Sequence, residues 1–211
     1  VVDIVSETET FHIPIHNPEP SSITDGRKFL YDATNSSNNG TQSCGSCHVS
    51  GDFDSLTWNL GNPDEHDVLN LNPFQIGNPS PFSPLKGAMT TQSLRGMEGH
   101  GPLHWRGDKS RAEEEPNSRA NGTGAFNEFG GFLEFNPAFV GLLGRSSQLA
   151  PTEMEQFATF AMGIVYPPNP EMSFNRVHTG IAAQGEALYF GRNTDGVGNC
   201  NTCHTSDRSA G

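Results

Sequence analysis

Long apolar runs are missing from this 211-residue chain. No stretch approaches the ~20 consecutive apolar residues that a membrane-crossing helix needs, so the sequence carries no transmembrane segment. Basic residues are also scarce. Twelve Lys and Arg stand against 24 Asp and Glu, a formal net charge of −12. Proteins that hold nucleic acid neutralise its phosphates with Lys and Arg, so this balance speaks against nucleic-acid binding. It suits a solvated acidic surface, or one that steers a basic partner protein. Core material is thin too. Hydrophobic residues make up 33% of the chain, beside 24 Gly and 15 Pro. Glycine and proline together come to about 18%, where ~12% is usual. Such a chain is rich in loops and short of aliphatic side chains to pack.

Only four cysteines occur, and two short patterns use them all: Cys44-Gly45-Ser46-Cys47-His48 and Cys200-Asn201-Thr202-Cys203-His204. Cys-x-x-Cys-His is the attachment pattern of c-type haem. The two thiols add across the porphyrin vinyl groups, and the adjacent His48 or His204 turns its imidazole onto the iron. The rival readings fit less well. A thioredoxin-like dithiol sits beside a βαβ pattern, and none is visible. Zinc takes four ligands closed around one ion, whereas these pairs lie at opposite ends of the chain. A disulfide between residues three apart closes a loop too short to stabilise much. Two covalent haems also answer the thin core, because each porphyrin is a large apolar disc around which a sparse chain can pack.

The rest of the chain reads as mainly α, with two cytochrome c-like lobes, long loops and little β. Residues 1–20 form an extended N-terminal segment, with alternating Phe11, Ile13 and Ile15 broken by Pro14, Pro18 and Pro20. Residues 21–166 form the first haem lobe with an inter-haem linker. They open with a short helix in which Phe29 and Leu30 face the core. Gly and Pro interrupt 50–88 throughout, and Thr90–Arg95 is read as a short helix. Two more short helices are expected over Phe126–Leu133 and Pro137–Leu143. The best-signalled helix starts with a capping box at Thr152 and Glu155, and buries Phe157, Ala158, Ala161 and Ile164. It stops before Pro167-Pro168. Residues 167–211 are read as the start of a second, truncated haem lobe, with a helix over Thr179–Phe190. Within it, Gly185-Glu186-Ala187-Leu188-Tyr189-Phe190 echoes Gly26-Arg27-Lys28-Phe29-Leu30-Tyr31. Each phrase precedes a haem motif, which suggests a weak internal repeat.

These features resemble the di-haem cytochrome c peroxidase superfamily over most of the chain. Beside the two haem motifs, the resemblance rests on Thr91-Gln92-Ser93-Leu94-Arg95-Gly96 and His104-Trp105-Arg106-Gly107-Asp108. The phrase Gly26-Arg27-Lys28-Phe29-Leu30-Tyr31-Asp32 is similar to a branch whose members join the di-haem unit to a β-propeller. The resemblance implies that Trp105 lies between the two haems, where its indole packs both discs. Arg95 and Arg106 are candidates to hold haem propionates, since the guanidinium fork suits carboxylates; ordinary surface ion pairs are the competing explanation.

One departure bears on function. His104 stands where the peroxidases carry an apolar aromatic beside the first haem. A His there can close the sixth iron position, giving a bis-His haem that carries electrons instead of activating peroxide. His104 is therefore the leading distal ligand for the haem of His48, with His66, His100, Met97, Met89 or an open site as rivals. For the haem of His204 the candidates are His178, Met172, His12 and His16, or a neighbouring subunit. If the chain is an enzyme, the resemblance implies an acid/base at Glu113, Glu114 or Glu115. Asp52, Asp54, Asp64 and Asp67 offer oxygens to Ca²⁺, though at no EF-hand spacing.

The reading that follows is a di-haem c-type cytochrome passing single electrons between two covalently bound haems. The alternative is a peroxidase-like or oxygenase-like enzyme with one open haem. Haem c is attached outside the cytoplasm, so a periplasmic or extracellular location is expected. No leader is visible, and the chain is expected to be a cleaved product or a piece of a larger exported protein. The partners expected are a redox protein and a parent chain or neighbouring subunit.

Overall fold

The computed structural model describes residues 2–61, 63–67, 81–109, 127–193, 196 and 198–202. Among these the fold is mainly helical, with few short strands and no barrel. A two-residue hairpin, β1 (Val2–Asp3) with β2 (Thr8–Glu9), precedes an extended and exposed stretch. Helix α1 (Ser21–Tyr31) follows, then the one-turn α2 (Ala33–Ser36). Strands β3 (Thr57–Asn59) and β4 (Ala88–Thr90) pair antiparallel, Trp58 opposite Met89. Short helices α3 (Glu128–Leu133) and α4 (Ala138–Gly141) lead to α5 (Pro151–Met162), and α6 (Gly180–Gly191) comes last.

The core lies where α1 crosses α5. Met154, Phe157, Ala158 and Ala161 recur at helical spacing and are all buried, which gives α5 one apolar stripe. Opposite them, Phe29 and Leu30 of α1 are buried, as their positions in the sequence lead one to expect. Phe157 is the hub: its ring centre lies 6.2 Å from Phe29, 5.0 Å from Phe132 and 6.0 Å from Phe139, the last two edge to face. Aromatic pairs in that arrangement gain beyond their buried area. The crossing is close because Gly26 faces it. A Cβ there would overlap the Gln156 carbonyl oxygen and lie 2.5 Å from Cβ of Phe160.

Two expectations are corrected. Helix α5 does not begin with a Thr152–Glu155 capping box. Pro151 takes the first helical position, where its fixed φ suits the turn and its missing N–H costs nothing. Thr152 is then already inside the helix, and Glu153 accepts the Ala150 amide at 2.9 Å. Thr90–Arg95 is not helical either. Thr90 ends β4, and the chain beyond it is held by partners distant in sequence: Leu94 N donates to Gly51 O (2.9 Å) and Gly96 N to Ile164 O (2.7 Å). Long-range bonds outweigh local helical preference here.

Helix α6 differs from α1 although their sequences echo each other. None of its residues is buried, and nothing lies within 4 Å of a Cβ built on Gly185. It leads to a single 3₁₀ turn at Cys200–Thr202.

Candidate haem site

The first motif forms a 3₁₀ turn, Cys44–Ser46, immediately followed by Cys47 and His48. Ser46 N donates to Ser43 O (3.0 Å), Cys47 N to Cys44 O (3.2 Å) and His48 N to Cys44 O (2.9 Å). The turn thus brings residues 44, 47 and 48 close along the backbone. Gly45 permits the turn to lie against α1: a Cβ there would come within 2.8 Å of the Tyr31 ring and 2.9 Å of Leu30 O.

His48 is oriented from behind. Its Nδ1 lies 2.7 Å from the Gln92 carbonyl oxygen, an acceptor only, so Nδ1 carries a proton. Metal-binding histidines are commonly fixed in this way by a carbonyl on the other ring nitrogen. Burial pushes the His48 pKa down, against the opposing pull of its backbone hydrogen bonds and Asp54, which keeps the ring neutral. The thiols behave differently from reactive ones. Burial pushes Cys44 up to about 12, and burial with the charge of Asp54 raises Cys47. Neither is poised as a thiolate for zinc or for dithiol exchange.

Trp105 and His48 are both held by the segment 90–92. Thr91 N donates to Leu56 O (3.3 Å) on the β3 side. The carbonyls of Thr90 and Gln92 face the other way, as alternation along an extended chain requires. Gln92 O takes His48, and Thr90 O takes Trp105 Nε1 at 2.6 Å. The Trp105 ring is otherwise 55% exposed.

His104 occupies a tight corner. Gly107 N donates to His104 O (2.9 Å), and Leu103 pairs with Lys109 across the base. His104 has φ +74°, which is strained for a residue with a Cβ. Its Nδ1 lies 2.7 Å from Asp108 Oδ1, and its ring meets Phe135 edge-on at 5.8 Å. Arg106 reaches Asp108 Oδ2 at 3.3 Å, bonds the Ser83 carbonyl and stacks over Phe82. Burial alone would raise the Asp108 carboxyl, but the His104 hydrogen bond and charge and the Arg106 guanidinium outweigh it and lower it to about 2.

The donor set fits a haem. One turn carries two protonated thiols, Cys44 and Cys47, and runs directly into His48, whose Nδ1 is committed to the Gln92 carbonyl. Tyr31, Val49, Phe53, Leu56 and Trp58 are left exposed in the chain around it, apolar surface of the kind that marks a binding site. Arg95 bonds Ser50 O and lies 3.5 Å from Asp52 through Nε. The buried Nε atoms of Arg95 and Arg106 have no hydrogen-bond partner among the described residues, and each guanidinium keeps further N–H donors of the kind that suit a carboxylate.

Other expected residues separate. Met97 is part of the core, Met89 lies on β4, His100 turns Nδ1 to the Glu98 carbonyl and His66 is exposed. His12 pairs with Glu9 and His178 with Glu186; His16 is exposed and Met172 half-buried. Cys200 lies in its turn, whereas Cys203, His204 and Glu113, Glu114 and Glu115 fall outside the described residues. The calcium expectation is corrected. Among the described residues no three His, Cys, Asp or Glu side chains converge to hold a metal ion. Asp52 turns to Arg95, and Asp54 to Trp58 Nε1 and the Leu56 amide. Sequence reading missed Asp108 and the Gln92 and Thr90 carbonyls. The i, i+4 spacing of His104 and Asp108 was a usable signal; the two carbonyls left none.

Among the described residues, no helix is long and apolar enough to cross a membrane. No protein-family model matches the chain, and no curated protein sequence matches it. Among solved structures, hydrazine synthase of Kuenenia stuttgartiensis, pressurised with 20 bar xenon, is similar in fold, with a TM-score of 0.53 at 19% identity over 98% of this chain. The chain spans 60% of the length of that structure's chain. At this identity the likeness is one of fold.

Proposed function

We propose that this chain is a di-haem c-type cytochrome that passes single electrons between two covalently bound haems. The observation that carries the reading is the first motif itself: a tight turn that carries Cys44 and Cys47 and runs directly into His48, with His48 Nδ1 committed to the Gln92 carbonyl. Haem, once attached, supplies a reversible one-electron couple. Cys44 and Cys47 anchor it, and the Gln92 carbonyl keeps the His48 ring in the ligating tautomer. Arg95 and Arg106 would hold propionates through their guanidinium groups. His104 would supply a second imidazole to the iron of the first haem, and Trp105 would pack its indole against haem. Cys200, Cys203 and His204 anchor the second haem in a second lobe spanning 167–211. The residues belong to the di-haem cytochrome c peroxidase superfamily pattern, work in an exported setting, and meet a basic redox partner that complements the net charge of −12.

A second reading, a di-haem oxidoreductase with one open iron, is favoured by the fold likeness to a protein titled a synthase. His104 with a carboxylate on Nδ1 is also equipped for acid–base work.

The test is expression in a host that exports the chain and attaches haem c. The reading expects an intact mass two haems above the polypeptide, and two low-spin irons that cycle between oxidation states without consuming peroxide. A mass equal to the bare polypeptide overturns it. Peroxide turnover with an electron donor selects the enzyme instead.

A further inference from the structure

We infer that Asp108 is the positioning residue for His104, holding its imidazole as the Nδ1–H tautomer so that Nε2 is the ligating nitrogen. The inference rests on the proposal above that His104 binds iron, and concerns how the chain makes that possible.

Geometry carries it. Asp108 Oδ1 lies 2.7 Å from His104 Nδ1, and Oδ2 is 3.3 Å from Arg106. The carboxylate is thus held at both oxygens and cannot swing away. Its side chain is 7% exposed, so water does not compete for it. An ionised carboxylate only accepts, which requires a proton on Nδ1 and leaves the lone pair on Nε2. The backbone is arranged to the same end. The Leu103–Lys109 bridge and the turn closed by Gly107 N on His104 O bring positions 104 and 108 together. Lys109 is anchored in turn, 3.5 Å from Glu134. His104 accepts a positive φ within this corner, and strain of that kind at a polar residue is a common mark of a functional position. Phe135 packs edge-on against the ring and limits its rotation. His48 is fixed by a neutral carbonyl, whereas His104 is fixed by an anion, which makes its Nε2 the stronger donor.

The experiment compares the haem-loaded wild type with Asp108→Ala, Asp108→Asn and His104→Gly, each checked for folding by circular dichroism and for haem content by mass. His104→Gly is expected to convert one haem from low to high spin. Asp108→Ala is expected to give a partly high-spin haem that an added ligand such as cyanide occupies ~10-fold or more readily. Asp108→Asn, which still accepts from Nδ1–H but without charge, is expected to stay low-spin with a raised midpoint potential. If His104→Gly changes the spectrum while both Asp108 variants match the wild type in spectrum and potential, the positioning role is wrong and the ligand stands. If His104→Gly leaves every iron low-spin, ligation by His104 is wrong and the role of Asp108 falls with it.

Discussion

His48 and Trp105 donate their ring N–H groups to carbonyls two residues apart, Gln92 and Thr90, at 2.7 and 2.6 Å. One extended segment therefore sets the position of both the motif imidazole and the exposed indole. Trp105→Phe keeps an apolar ring but removes the donor to Thr90. It is expected to lower stability by about 1 kcal/mol, measured by urea unfolding. It is also expected to slow electron exchange between the haems, followed by flash-triggered absorbance, with haem content unchanged. Exchange at the wild-type rate would remove Trp105 from the route.

Gly26→Ala tests the helix crossing. The added methyl meets the Gln156 carbonyl and Cβ of Phe160. Backbone is rigid there, so α1 must move away from α5. A loss of about 3 kcal/mol is expected from such overpacking, read as a lowered midpoint in thermal or urea unfolding. Gly185→Ala, with open space around it, is expected to be neutral or slightly stabilising in the same assay.

Thiol reactivity in the haem-free chain gives a third check. With Cys44 pushed up to about 12, roughly one molecule in ten thousand carries the thiolate at pH 8, and only the thiolate attacks an alkylating agent. Iodoacetamide is expected to label Cys44 far more slowly in the folded chain than in urea, read by peptide mass. Equal rates would show that the thiol is not buried.

Acid sensitivity follows from Asp108. Its folded pKa, about 2, lies below the ordinary carboxylate value. As pH falls, the unfolded chain takes up the proton first, so the stabilisation is complete above roughly pH 4 and is lost as pH drops toward 2. Asp108→Asn is expected to be about 2 kcal/mol less stable than wild type at pH 7. The difference should close by about pH 2, measured by urea unfolding across that range.

The sequence was legible where local chemistry decides structure. Phe29, Leu30, Phe157 and Ala158 announced the core because apolar residues at helical spacing need a partner surface. The two Cys-x-x-Cys-His motifs point to haem c because few other chemistries use that set. What escaped were arrangements made by distant segments. Thr90–Arg95 favours a helix locally, but its backbone is claimed by Leu56 and Gly51, and that of the next residue, Gly96, by Ile164. Asp52 and Asp54 look like a calcium loop until Arg95 and Trp58 are seen to take their oxygens. Asp108 shows no role in the sequence, because only the folded corner brings its carboxylate onto His104.

The α1–α5 crossing has a consequence for biogenesis. Phe29 and Leu30 are sealed by a helix that follows 32–150 in the chain, so the contact is of high order and slow to form. During synthesis, which proceeds from the N-terminus, the motif at 44–48 is made and threaded outward long before Phe157 arrives to close over it. The first thiol pair therefore passes through a period of full accessibility, in which a ligase can modify an unfolded substrate before the nucleus around Phe157 condenses.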